Sequence, residues 1–257
     1  MLNPLEELLN RTWSSKILDS EWDDLKDVHS KLELPAFTGG VNPGDQRAIY
    51  YLIKGFDISS VLEIGTHLGC STVSIALALK GRRNVKLTTV DIRDVNDKDA
   101  LHDEKYIPQD FRGKSWYKFK SKFTPKELVE KIDCDSFVDF KINDSIDFFK
   151  KDKNKYDFIF LDGNHDFEVV YEELPLAIEH LNKNGLILLH DYFPDLKPLW
   201  KESDIVCSGP FKAVAKLFQE GLDFFVQPCG ILPWEVKYKG EHVTSLALGA
   251  VFNEIKE

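Results

Sequence analysis

The sequence predicts a doubly wound, Rossmann-like α/β fold: a mostly parallel seven-stranded sheet with an antiparallel C-terminal strand, preceded by N-terminal helices. Three observations predict it. Strand-like segments alternate with helical stretches, and those that are apolar on both faces belong to a parallel sheet covered on both sides. The first strand, SVLEIG (60–65), runs through a glycine-containing turn straight into a helix. The last two strand-like segments, LDFFVQP (222–228) and TSLALGAVF (244–252), have no clear helix between them, so that pair is antiparallel.

Taken in order, Leu2, Leu5, Leu8, Leu9, Trp13, Ile17, Leu18, Trp22, Leu25 and Val28 recur near the helical period with acidic residues between them. Residues 1–44 are therefore expected to form a helical extension packed on the main domain, with 45–257 as that domain. The Gly/Pro-rich break FTGGVNPGD (37–45) ends in Asp45, an expected cap for a helix over QRAIYYLIKGF (46–56). After the first strand come a helix over STVSIALALKG (71–81), a strand at KLTTVDI (86–92) and a helix over PKELVEKI (125–132), entered by Thr124. Strands follow at FVDFKI (137–142), YDFIFLDG (156–163) and GLILLHD (185–191), with helices over FEVVYEELPLAIEHL (167–181) and FKAVAKLFQEG (211–221). Two connections, 93–123 and 192–209, are too long for tight turns. They carry exposed-looking aromatics, Tyr106, Phe111, Trp116 and Tyr117 in the first and Tyr192, Phe193 and Trp200 in the second. Long loops at the carboxyl ends of parallel strands are where such sheets build their sites, so both are expected to be substrate walls or lids.

Composition narrows the function. With 43% hydrophobic and 30% charged residues the chain has the make-up of a globular protein, and no apolar run approaches the roughly 20 residues that span a bilayer. The N-terminus lacks a basic start and a continuous apolar stretch, so a secretion signal is not expected. Cys70, Cys134, Cys207 and Cys229 lie far apart with no CxxC pair, which suits free thiols in a cytoplasmic protein. Asp+Glu 43 against Lys+Arg 33, a net charge of −10, would repel a phosphate backbone, so nucleic acid is not expected as a partner. The N-terminal Leu/Trp stripe would serve a homo-oligomer or packing on its own domain equally well.

The first strand leads into Glu63-Ile64-Gly65-Thr66-His67-Leu68-Gly69-Cys70-Ser71. Such a turn lets a ligand approach the backbone, and the helix N-terminus supplies unpaired N–H donors. A dinucleotide fingerprint wants Gly-x-Gly-x-x-Gly, whereas His67 and Cys70 hold the second and third glycine positions. Glu63, an acid near the strand end, suits a ligand with a cationic end. Asp91 ends the second strand, where an acid accepts ribose hydroxyls whatever the cofactor.

VLEIGTHLGCST, TTVDI, INDSIDFF, DFIFLDGNHDFE and NGLILLHDY, in that order over about residues 45 to 192, resemble the class I S-adenosylmethionine-dependent methyltransferases. The closer resemblance is to the small-molecule O-methyltransferases of the methyltransferase-24 and catechol-O-methyltransferase-like groups. It implies that Glu63, Gly65, His67 and Ser71, with Thr66 and Gly69 of the same turn, surround the methionine part of S-adenosylmethionine. It implies further that Asp91 holds the ribose, that Asp144 and Ser145 hold the adenine, and that Asp162 borders the cofactor.

DGNHD adds chemistry. Asp162 ends the fourth strand, His165 follows three residues later, and His190 and Asp191 end the fifth. Neighbouring strands lie about 4.8 Å apart, so these side chains can converge. A hydroxyl becomes nucleophilic when its proton is removed or a cation lowers its pKa, and the cluster offers both routes. By the resemblance, Asp162, His190 and Asp191 hold a divalent cation, magnesium or manganese, and His165 is the base. His190 departs from the acid or amide common in the metal enzymes: an imidazole either shifts the preference from magnesium toward manganese or another transition metal, or leaves His190 outside the ligand set. The expected activity is therefore O-methylation of a small hydroxylated acceptor. Its rivals are a metal-independent O- or N-methyltransferase, a nicotinamide-dependent oxidoreductase and a non-catalytic binding protein.

Overall fold

The computed structural model describes residues 4–14, 25, 26, 28, 30–32, 40–56, 58–101, 121–201, 203–237 and 239–251. Leu2, Ile17, Leu18 and Trp22 of the N-terminal stripe, and Tyr106, Phe111, Trp116 and Tyr117 of the first long connection, lie outside the described residues.

The helices are α1 (Pro4–Trp13), α2 (Pro43–Gly55), α3 (Cys70–Leu79), α4 (Lys98–Leu101), α5 (Pro125–Lys131), α6 (Ser145–Lys151), α7 (Phe167–Glu179) and α8 (Gly209–Gln219). The strands are β1 (Ser60–Ile64), β2 (Lys86–Asp91), β3 (Val138–Ile142), β4 (Tyr156–Leu161), β5 (Leu181–Leu189), β6 (Phe225–Pro228) and β7 (Ala247–Ala250). Among the described residues they form one seven-stranded sheet in the order β3-β2-β1-β4-β5-β7-β6. β1 to β5 pair in parallel, β7 runs antiparallel to β5, and β6 is antiparallel to β7. The order reverses between β1 and β4, the switch point at which open α/β sheets part above their carboxyl ends to admit a ligand.

Successive strand residues point to opposite faces, and both faces are apolar. Val61, Leu87, Phe158, Phe160, Leu186 and Leu188 pack with Ile49 of α2, Val73 and Ile75 of α3 and Leu128 of α5. Leu62, Ile64, Ile159, Leu161, Ile187 and Leu189 pack with Phe148 of α6, Leu174 of α7 and Leu217 of α8. α1 joins the first of these cores through Leu5, Leu9 and Trp13. The Trp13 ring meets Trp234 edge-on at 5.6 Å.

Local chemistry sets the helix ends. Thr124 and Glu127 form a reciprocal capping box at α5, with Pro125 in the first turn. At α2 the cap is Asn42, whose side chain accepts the Asp45 N–H at 3.0 Å, not Asp45 as the sequence led us to expect. Pro43 opens the helix after Asn42, which moves Asp45 into the first turn and turns its carboxylate into the protein. A second correction concerns the aromatics of 192–209, which look exposed in the sequence: Tyr192, Phe193 and Trp200 are buried, while Leu196 and Ile205 of the same segment are exposed.

Candidate active site

At the switch point the β1–α3 turn is pressed against the end of β4. The Gly65 N–H donates to the Val90 carbonyl at 2.8 Å, and the Asp162 N–H to the Ile64 carbonyl at 2.9 Å. Gly65 has φ +97, and a Cβ there would collide with the Asp162 carbonyl oxygen, so only glycine fits. Gly69, with φ +79, starts α3 and leaves room for Pro125. His67 also takes a left-handed conformation, φ 46, which aims its N–H at Asp91 Oδ2, 2.9 Å away.

Glu63 does not reach the cavity. Its fully buried carboxylate accepts hydrogen bonds of 2.6 Å from the hydroxyls of Ser71, Thr72 and Thr89. Ser71, which does line the cavity, stands in front of it. Burial pushes the Glu63 carboxyl from 4.5 up to about 7, against the opposing pull of those three hydroxyls. The folded state therefore holds this proton more tightly than the unfolded chain. The stabilisation is complete below pH 4.5 and is lost as pH rises to 7, by roughly 3 kcal/mol. Glu63→Gln, which cannot ionise, is expected to remove that share of the pH dependence. Urea unfolding at pH 5 and pH 8 checks this: a variant that loses as much stability over the interval as the wild type would contradict it.

Asp91 and Asp144 lie on the cavity wall. Asp91 Oδ1 accepts the Arg93 backbone N–H at 3.0 Å and its Nε–H at 3.1 Å, so the carboxylate is held square to the wall. Asp144 caps α6 by accepting the Asp147 N–H at 3.1 Å and presents Ser145 beside it. Sequence reasoning passed over their neighbours Arg93, Asn143 and Ile146, which line the same end. Their position just past β2 and β3 was the available signal.

The acid–histidine cluster closes at the other end. Asp162 Oδ1 lies 2.6 Å from His190 Nδ1, and His165 Nε2 lies 3.6 Å from both Asp162 Oδ1 and Asp191 Oδ2. His190 and Asp191 are adjacent and in a strand would face opposite ways. Asp191 has φ 48, however, so the chain has already left β5 and both side chains reach the cluster, His190 Nδ1 being 3.8 Å from Asp191 Oδ1. Behind His190, its Nε2 is 3.6 Å from Asp45 Oδ2. Asp45 is fully buried and is held by Asn42 Nδ2 at 2.6 Å and by the Thr244 hydroxyl. Burial alone would lower the His190 pKa, but the charges of Asp162 and Asp191 outweigh it and hold the imidazole well above its ordinary value. Burial would likewise raise Asp191, and the charges of His190, His165 and Lys237 instead keep it below the usual carboxylate range.

The resemblance grouped Asp162, His190 and Asp191 as cation ligands. The folded chain groups Asp162, His165 and His190, whose ligand atoms all lie within 4.8 Å of one another, and separately His165, Asp191 and Cys207. One carboxylate with two imidazoles fits manganese or another transition cation and is a poor match to magnesium, which takes hard oxygen ligands.

Gly65, Thr66, His67, Ser71, Asp91, Asp144, Ser145, Asp162, His165, His190 and Asp191 border a cavity of about 620 Å³, whereas Glu63, Asp45 and Cys207 are not on its wall. Asp91 and Asp144 make one end of it acidic, and Phe193, Trp200, Ile205 and Lys237 also line its wall. Gly40, Val41 and Asn42, assigned from sequence to the extension, contribute as well.

Residues 62–192 match the model of the methyltransferase-24 family, described as a methyltransferase domain. The chain belongs to this family. Its strand order is thus that of a class I, S-adenosylmethionine-dependent methyltransferase. The fold is shared with solved methyltransferases of low sequence identity. The O-methyltransferase TomG of Streptomyces achromogenes, solved with S-adenosylmethionine, is 12% identical over 93% of this chain and 91% of its own, with a TM-score of 0.55. The O-methyltransferase of Bacillus cereus, solved with S-adenosylhomocysteine, is 15% identical over 96% and 97%, TM-score 0.55. The Podospora anserina methyltransferase PaMTH1, bound to S-adenosylhomocysteine, is 16% identical over 99% of each chain, TM-score 0.55. No curated protein matches the sequence. Among the described residues no helix of this methyltransferase is long and apolar enough to cross a membrane.

Proposed function

We propose that this methyltransferase moves the methyl group of S-adenosylmethionine to a hydroxyl of a small molecule, with His165 as the base. The observation that carries the reading is His165 itself. Its imidazole lines the cavity, is 24% exposed, and stands 3.6 Å from a carboxylate on either side, Asp162 and Asp191. The acceptor O–H proton passes to His165 Nε2, the oxygen forms a bond to the methyl carbon, and the carbon–sulfur bond breaks. Its electron pair stays on sulfur, leaving neutral S-adenosylhomocysteine. His190, donating from Nδ1 at 2.6 Å, fixes the Asp162 rotamer, and holding the two reactants in line supplies much of the rate enhancement.

A second reading keeps the donor and the hydroxyl but adds a divalent cation, and the Asp162–His165–His190 group favours it. Those residues would hold a manganese-type ion, which supplies Lewis acidity that lowers the pKa of a bound hydroxyl. His165 would then be a ligand and no longer the base. The nicotinamide reading has no support from the family or from the turn, where His67 and Cys70 stand in place of glycines. Cys70, Cys134 and Cys229 are buried free thiols, in keeping with a reducing, cytoplasmic setting.

Methyl-labelled S-adenosylmethionine, incubated with the protein and a panel of phenols, sugars and hydroxy acids, tests the proposal. Label recovered in an O–CH₃ group is the expected result, and transfer solely to nitrogen or carbon contradicts it. Turnover that survives chelation supports His165 as base; turnover lost and restored by manganese supports the second reading.

A further inference from the structure

The chain that leads into α8 brings a sulfur to the edge of the acid–histidine cluster. Cys207 is half-buried, whereas Cys70, Cys134 and Cys229 are buried. Its place is set two residues later by Gly209, the first residue of α8, where a Cβ would overlap the His165 carbonyl oxygen. Only glycine allows that approach, which presses the start of α8 onto the loop carrying His165. From the other side Asp191 has already left β5, and its Oδ2 lies 3.6 Å from His165 Nε2. One ligand atom each from His165, Asp191 and Cys207 lie within 4.8 Å of one another. The loop after β4, the end of β5 and the approach to α8 thus deliver an imidazole, a carboxylate and a thiol to one point.

Carboxylates alone would suit a hard cation, but a thiol with an imidazole and one carboxylate is a zinc donor set. Zinc binds such atoms tetrahedrally at about 2.0–2.3 Å, which sets ligand atoms roughly 3.3–3.8 Å apart. The His165–Asp191 spacing is already of that size, and the sulfur has at most roughly 1 Å to close. Burial, and after it the charge of Asp191, push the Cys207 thiol up to about 12, so the sulfur keeps its proton until a cation displaces it. We infer that His165, Asp191 and Cys207 form a zinc-type site beside the cavity that His165 and Asp191 line. The site does not depend on the proposed methylation, but its consequence does: an ion held there would occupy the imidazole that is to receive the acceptor's proton.

Cobalt(II), which reports sulfur ligation through a thiolate-to-metal charge-transfer band, tests the inference without any assay of turnover. The chelator-treated, reduced protein is titrated with cobalt(II) chloride and then with zinc(II) chloride. The wild type is expected to develop the band with one cobalt per chain and to lose it as zinc takes the site. Cys207→Ser is expected to abolish the band. His165→Ala, which keeps every thiol, is expected to weaken cobalt binding at least about tenfold, since even the outer partners of a metal ligand are worth that much; it decides the matter should Cys207→Ser fail to fold. Cobalt bound with no thiolate band, no cobalt bound, or a band that zinc does not bleach overturns the inference. So does a band that persists in Cys207→Ser or binding that is undiminished in His165→Ala.

Discussion

Replacing His165 with alanine is expected to lower kcat by about 10²–10⁴-fold, the usual share of a general base, while S-adenosylmethionine still binds. In the proposed mechanism the imidazole receives the acceptor's proton, and Asp162 and Asp191 each lie 3.6 Å from its Nε2. It belongs to the loop after β4 and supports no strand or helix end, so its loss should act on turnover and not on the fold. Steady-state kinetics at saturating donor, paired with a thermal melt, separate the two. A fall of less than tenfold in kcat with an unchanged melt would remove His165 from the mechanism.

The largest effect on folding is expected at Gly65. Gly65→Ala places a Cβ against the Asp162 carbonyl oxygen and forces an L-residue to φ +97, so the β1 turn and the end of β4 must part. We expect a loss of at least about 3 kcal/mol of stability, in the range reserved for special backbone positions and overpacking, together with loss of cofactor binding. Gly81 provides the control: its φ is +83, but nothing lies within 4 Å of a Cβ there, so Gly81→Ala should cost only the left-handed strain, about 1 kcal/mol. Urea midpoints for the two variants check the contrast, and equal losses would show that the close approach to Asp162 is unimportant.

The parallel core, and the turn and strand ends that line the cavity, were legible in the sequence because their signals are local. Apolar strands such as FIFL, glycines at forced turns and acids at strand ends carry their meaning within a few residues. What depended on distant partners was not legible. Asp45 reads as a helix cap, yet it sits behind His190, held by Thr244 from the other end of the chain. Thr244 and Ser245 read as the start of the last strand, but their hydroxyls go to Asp45 and Asp191, and β7 begins only at Ala247. Phe193 and Trp200 read as exposed loop aromatics, although they pack against each other. Lys237 carried no signal, since only the packed position of the segment before it brings the ammonium over Trp200. Glu63 was recognised as important but for the wrong contact, because sequence cannot show that three hydroxyls surround it.

The measurement that bears most directly on the central claim is calorimetric titration of the purified, chelator-treated protein with S-adenosylmethionine, repeated on Asp91→Ala. Saturable binding of one donor per chain, weakened in the variant that lacks the carboxylate held between His67 and Arg93, is the predicted result. No binding by a wild-type protein that melts cooperatively would contradict the assignment of this cavity to the methyl donor.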